Sequence, residues 1–110
     1  MTANDVKATV FEVKGIDGID PVRVVIIDYE LGSGRIMFDC YGMAWSCYWG
    51  AMADRTMAQF FEQASTGYLV GKLFCYERNM SKKSRVHEEK YLTRIVDSIK
   101  QALLIRRVKP

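Results

Sequence analysis

Residues 38–50 read FDCYGMAWSCYWG, two short runs of alternating character hinged on Gly42. Side chains alternate between the two faces of a β-strand. In the first run Ile36, Phe38 and Cys40 therefore oppose Arg35, Met37 and Asp39, and in the second Trp45, Cys47 and Trp49 oppose Ser46 and Tyr48. The pattern predicts a hairpin with one aromatic, apolar face. A turn at Gly42-Met43 pairs Cys40 with Trp45, whereas a turn at Met43-Ala44 sets Cys40 across from Cys47; glycine favours the first. Tyr41 and Tyr48 fall on the opposite parity, with Arg35, Met37, Asp39 and Ser46. That face reads either as a binding surface or as a solvated one.

Working outward, VKATVFEVK (6–14) alternates as a strand, with Thr9, Phe11 and Val13 on one side. GIDGIDP (15–21) is a loop, VRVVIIDYE (22–30) a β-branched strand, and LGSG (31–34) a tight antiparallel connection. RIMFDCY (35–41) and AWSCYW (44–49) complete a four-stranded meander. The period then changes. Met57, Phe60, Phe61 and Ala64 fall at i, i+3, i+4 and i+7 of one helical stripe, with Asp54 placed to cap it. STG (65–67) breaks that helix and YLVGKLFC (68–75) predicts a short one. RNMSKKS (78–84) is a polar connection.

From Ser84, a candidate cap, the chain runs to Arg107 without Gly or Pro, with Leu92, Ile95, Val96, Ile99, Ala102 and Leu103 on one face. About 24 helical residues reach ~36 Å, longer than a small sheet needs for cover. The expectation is that the last turns overhang, leaving Leu103, Leu104, Ile105 and Val108 exposed beside Arg106 and Arg107. The expected fold is α+β: one domain over residues 1–110, an antiparallel meander followed by two or three helices packed on one face, the last of them long.

Charge is distributed unevenly. Residues 1–80 carry seven Lys/Arg and ten Asp/Glu, whereas residues 81–110 carry nine and three. An acidic body with a basic C-terminal arm results. The three cysteines, Cys40, Cys47 and Cys75, are odd in number and lack CxxC spacing, which predicts free thiols in a reducing compartment. MTANDVKATVFEV has no basic region leading into an apolar stretch, and no run approaches the ~18 residues that span a bilayer. A cytoplasmic protein without membrane contact is expected.

Little in the sequence supports catalysis. The single histidine, His87, sits among Arg85, Glu88, Glu89 and Lys90 and reads as a solvated residue of the helix start. There is no GxSxG elbow, no Cys/His metal spacing and no P-loop. Asp17 and Asp20 read as turn residues. Glu12-Val13-Lys14, with Asp5, Asp28, Glu30 and Asp39, resembles the acid-and-lysine grouping of metal-dependent nucleases, a minor alternative to a protein without metal or cofactor. Nucleic-acid binding is the main alternative, with Lys82, Lys83, Arg85, Lys90, Arg94 and Lys100 neutralising phosphates along the last helix.

The string DYELGSGRIMFDCYGMAWSCYWGAMADRTMAQFF, continued by YLVGKL, resembles small proteins encoded in bacteriophage and prophage genomes, over about residues 28–73. The elements carrying it are Asp28-Tyr29-Glu30, Gly34-Arg35-Ile36, Cys40-Tyr41-Gly42, Trp45-Ser46, Tyr48-Trp49-Gly50, Asp54-Arg55-Thr56 and Tyr68-Leu69. The resemblance implies expression in the cytoplasm of an infected bacterium and carries no catalytic residues with it. It also implies non-enzymatic binding to a host protein or defence complex, such as CRISPR machinery, with inhibition of that complex as an expected outcome. Tyr41, Tyr48, Leu104, Ile105, Arg106 and Arg107 are the candidate protein-binding residues, and a homodimer through the last helix is the simplest self-association.

Overall fold

The alternation becomes a four-stranded antiparallel sheet whose strands follow one another in space as they do in the chain. The computed structural model describes residues 1–74 and 80–108. The strands are β1 (Thr9–Val13), β2 (Val22–Glu30), β3 (Ser33–Cys40) and β4 (Met43–Trp49), and the helices α1 (Met57–Gln63), α2 (Thr66–Leu73) and α3 (Lys82–Val108). This is the expected α+β meander with a long final helix. β1 is shorter than its pattern, because residues 1–8 are exposed and stand outside the sheet. Cys75 lies outside the described residues.

The quoted hairpin forms with Phe38 opposite Trp45, Ile36 opposite Cys47 and Gly34 opposite Trp49. Its turn is neither of the two expected. Cys40 pairs with Met43, so Tyr41-Gly42 makes a two-residue turn. Both residues take positive φ, 48° and 81°, the geometry whose twist matches flanking strands. Glycine adopts it freely, but a tyrosine there is uncommon, which is why the sequence points one residue too late. The same register places Cys40 four residues along β3 from the partner of Cys47, ~13 Å at ~3.3 Å per residue. A disulfide needs Cα atoms within about 7 Å, and both cysteines are free.

Helix starts are set by hydroxyls and by one carboxylate from the sheet. Thr56, not Asp54, caps α1: its Oγ1 accepts from Gln59 N–H at 3.2 Å, and Gln59 Oε1 accepts from Thr56 N–H at 2.9 Å. This reciprocal capping box satisfies two orphan donors. A third, Met57 N–H, donates to Asp28 Oδ1 of β2 at 2.7 Å, tying α1 to the sheet. Asp28→Ala should therefore cost about 1–2 kcal/mol, read as a lowered denaturation midpoint at unchanged slope. Ser65, in the expected breaker, caps α2 by accepting from Tyr68 N–H. Ser81, rather than Ser84, caps α3: its Oγ accepts from Ser84 N–H at 3.1 Å.

The core lies between one sheet face and the helices. Val22, Val24, Ile26, Ile36, Phe38, Trp45 and Trp49 meet Met57, Phe61, Leu69 and Leu73 there. α3 adds Leu92, Ile95, Val96, Ile99 and Leu103, the expected face; each such side chain contributes roughly 1.5–3 kcal/mol on burial. Of the expected C-terminal overhang, only the exposure of Leu104 and Ile105 is found. Leu103 is buried, Arg106 lies over the Phe11 ring at 4.5 Å, and Arg107 holds Glu62 with a forked contact of 2.9 and 3.2 Å. The helix instead projects at its other end, where Lys82–Lys90 contain no buried residue. Packing on the core begins at Tyr91 and Leu92, because the polar run before them gives the core little to bury.

Candidate protein-binding face

The described helices all pack on one face of the sheet, so the other is left uncovered. Its composition follows from parity and register. One row across the strands is Val10, Val25, Met37 and Ser46, the next Glu12, Arg23, Asp39 and Ala44. On the other side of the first row lie Ile27, Arg35 and Tyr48. Val10 is 65% exposed, whereas Val25, Ile27 and Met37 are half-buried by their neighbours alone. Tyr29 joins the edge of this patch, its ring 6.0 Å from that of Tyr48.

Charges rim this apolar centre. Arg35 donates to Ser46 Oγ at 3.0 Å and lies over the Tyr48 ring at 5.7 Å, holding the ring at the sheet surface. Glu12 stands 3.2 Å from Lys14 and 3.7 Å from Arg23. Among the described residues Asp39 has no ion-pair partner. The small side chains of Ala44 and Ser46 leave a shallow depression of about 210 Å³, bordered by Arg23, Val25, Met37 and Asp39. An apolar centre inside a polar rim is the general make-up of a protein interface.

The sequence-expected protein-binding residues do not form one site. Tyr48 sits on the open face, but Tyr41 is in the hairpin turn, 83% exposed. Leu104 and Ile105 are exposed on the last turns of α3, in the helical layer. Arg106 and Arg107 are engaged by Phe11 and Glu62. The sequence reading missed Val10, Arg23, Val25, Ile27 and Tyr29, although the parity of Arg23 against Val22 and Val24 marks the outer side of β2.

The basic set along α3 is divided as well. Lys82, Lys83 and Lys90 are exposed on the projecting turns, and Arg85 reaches Glu89 at 4.0 Å. Arg94 donates to the carbonyl of Asp17, and Lys100 to that of Ala64. Those two cations fasten α3 to a loop and to the end of α1. His87 is exposed, as expected.

Side chains with chemical potential are in structural use. Cys40 donates from Sγ to the Asp20 carbonyl at 3.4 Å and meets Tyr91 Oη at 3.2 Å. That hydrogen bond, then burial, pushes the Tyr91 phenol up to about 12 from its ordinary 10. The folded chain thus keeps a proton that the unfolded chain loses above pH 10. Its stabilisation is complete below pH 10 and disappears as pH rises toward about 12. Melting temperature should fall across that window, and less steeply for Tyr91→Phe than for the parent. Burial pushes the Cys47 thiol up, against a smaller opposing pull from Lys72, so thiolate is disfavoured. Glu12 and Asp39 lie on the open face, whereas Asp28 turns to the helical side to hold α1. Among the described residues no three of His, Cys, Asp and Glu are grouped to hold a metal ion, and no described helix is long and apolar enough to cross a membrane.

No curated protein and no solved structure matches the chain. A family model described as a phage family matches residues 1–85, from the free N-terminus through the sheet, α1 and α2 to the first turn of α3. The chain belongs to this family of phage proteins.

Proposed function

We propose that the protein acts without catalysis, by binding a host protein or defence complex through the open face of its sheet in the cytoplasm of an infected bacterium. The observation that carries this reading is the bare face itself. A sheet normally covers an apolar side, yet Val10, Val25, Ile27, Met37, Tyr29 and Tyr48 share one that no described helix covers. Contiguous apolar surface that is open to solvent, exposed at Val10, Tyr29 and Tyr48 and half-buried between them, suits an interaction site when charges rim it. Phage membership supports a host partner, since small phage proteins often act on host machinery; inhibition of that machinery belongs to the same proposal.

The test is comparative capture from a host lysate. Met37→Asp and Val25→Asp should retain the parent's helical and sheet circular dichroism and lose the captured partner. Capture by both variants at the parent level contradicts the reading.

The exposed Lys82, Lys83 and Lys90 on the projecting turns of α3 favour nucleic acid as the second reading. Binding to duplex DNA or RNA that weakens steeply with salt, and that a Lys82→Glu/Lys83→Glu protein lacks, is its expected signature.

A further inference from the structure

Resting on the reading of the open face as a protein-binding surface, we propose that its occupant in the free protein is a second copy of the chain. The two sheets pack face to face about a twofold axis that runs along the strands between β2 and β3. The face is self-complementary in charge and in shape. Such an axis reverses strand order and keeps each row at its own height, so β1 lies over the partner's β4 and β2 over the partner's β3. In the row Glu12, Arg23, Asp39, Ala44, each Arg23 then faces the Asp39 of the other copy. Asp39 has no ion-pair partner within its own chain among the described residues and gains one twice over. Within the paired rows the charges balance, Glu12 and Asp39 against Arg23 and Arg35, and Lys14 at the rim is drawn to Glu12, so two copies meet with little net repulsion.

The adjacent row carries the fit of shape. Reversal sets Val10, 65% exposed, against the depression of about 210 Å³ over Ala44 and Ser46. Val25 meets Met37 at the centre, where neither has a cover of its own. Ile27 falls opposite the stem of Arg35, whose guanidinium is drawn aside to Ser46 and Tyr48; an arginine stem is an apolar surface. Sheets pack with strands aligned to within about 30°, which this axis allows.

Size sets the strength. Four strands ~4.8 Å apart and about seven residues long present roughly 19 by 23 Å of flat area. That is about half the ~800 Å² per partner of a standard interface, the size of a weak, transient contact. The dimer should therefore be exchangeable, with a dissociation constant on the order of micromolar. A host partner can then displace one copy and take the same face.

The experiment is sedimentation equilibrium of the full chain, with thermal melts as the folding control. The parent should dimerise by roughly 100 µM. Arg23→Asp and Asp39→Arg should each weaken the dimer by roughly tenfold or more, because like charges then face one another. The double exchange Arg23→Asp/Asp39→Arg should restore it, since the pair is reversed on both copies. Ile105→Glu, on the far layer, should leave it unchanged. A parent that stays monomeric at that concentration overturns the dimer, as does one that survives both single exchanges or breaks on Ile105→Glu. If the monomer still captures a host protein and Met37→Asp abolishes capture, the dimer fails while the binding-face reading stands.

Discussion

A Trp45→Ala protein is expected to be less stable than its parent by roughly 3–5 kcal/mol, the range for removing a buried aromatic side chain. Trp45 is 8% exposed and stacks on Phe38, its cross-strand partner, at 5.3 Å between ring centroids. On its other side it meets Tyr91 of α3 at 6.5 Å. Alanine would open a cavity where the hairpin, α3 and the Cys40–Tyr91 contact converge. The neighbours are fixed by strand pairing and by a long helix, so collapse into that space is limited. Chemical denaturation should show the midpoint moving down at nearly constant slope. Tyr48→Ala is the matching control, because Tyr48 is half exposed on the open face and should cost far less. Equal losses from the two would mean that the aromatic faces are wrongly assigned.

Gly32→Ala should cost about 2–5 kcal/mol, from left-handed backbone strain and steric overlap together. Gly32 has φ of +94°, and a Cβ built on it lies 2.4 Å from the Ala53 carbonyl oxygen. That oxygen is backbone and cannot swing away. The segment containing it is strapped down on both sides, with Gly32 N–H donating to Arg55 O at 3.1 Å and Met52 N–H to Gly32 O at 2.9 Å. The substitution would push the β2–β3 turn away from the connection that leads into α1. Gly71→Ala gives the contrast: nothing lies within 4 Å of its added Cβ and it sits inside α2. It should stabilise the protein by about 0.5–1 kcal/mol, because alanine is the better helix former. Loss on Gly32→Ala with gain on Gly71→Ala would show that the local geometry, not the added methyl group itself, sets the sign.

What the sequence revealed and what it hid have physical reasons. Alternation in residues 35–49 gave the hairpin and its faces, because each strand buries one side only. The helical stripe from Leu92 to Leu103 was legible for the same reason, as its period matches a single buried face. The turn was not, because Tyr41 occupies a left-handed position that usually signals itself with Asn, Asp or Gly. Caps were misplaced by a few residues, since Asp54 and Thr56, or Ser81 and Ser84, are chemically able to do the same work. Only the tertiary path of the chain decides between them.

The candidate face was half legible. Arg35, Met37, Asp39, Ser46 and Tyr48 could be assigned to one side from their own alternation, whereas VRVVIIDYE hides its outer residues in a β-branched run. Val25 and Ile27 read as core until register sets them beside Met37 and Arg35. Which end of α3 projects was not legible either. Helix length predicts an overhang, but its direction depends on where β1 and α1 receive Arg106 and Arg107.

The central claim, that the bare sheet face is where another protein sits, is tested most directly by a photoreactive residue placed at position 37 and irradiated in infected cells. Position 63, exposed on α1 in the helical layer, is the control. Crosslinks to protein should form from position 37 and be absent from position 63. An unlinked chain at position 37, or the same adducts from both positions, would contradict the account.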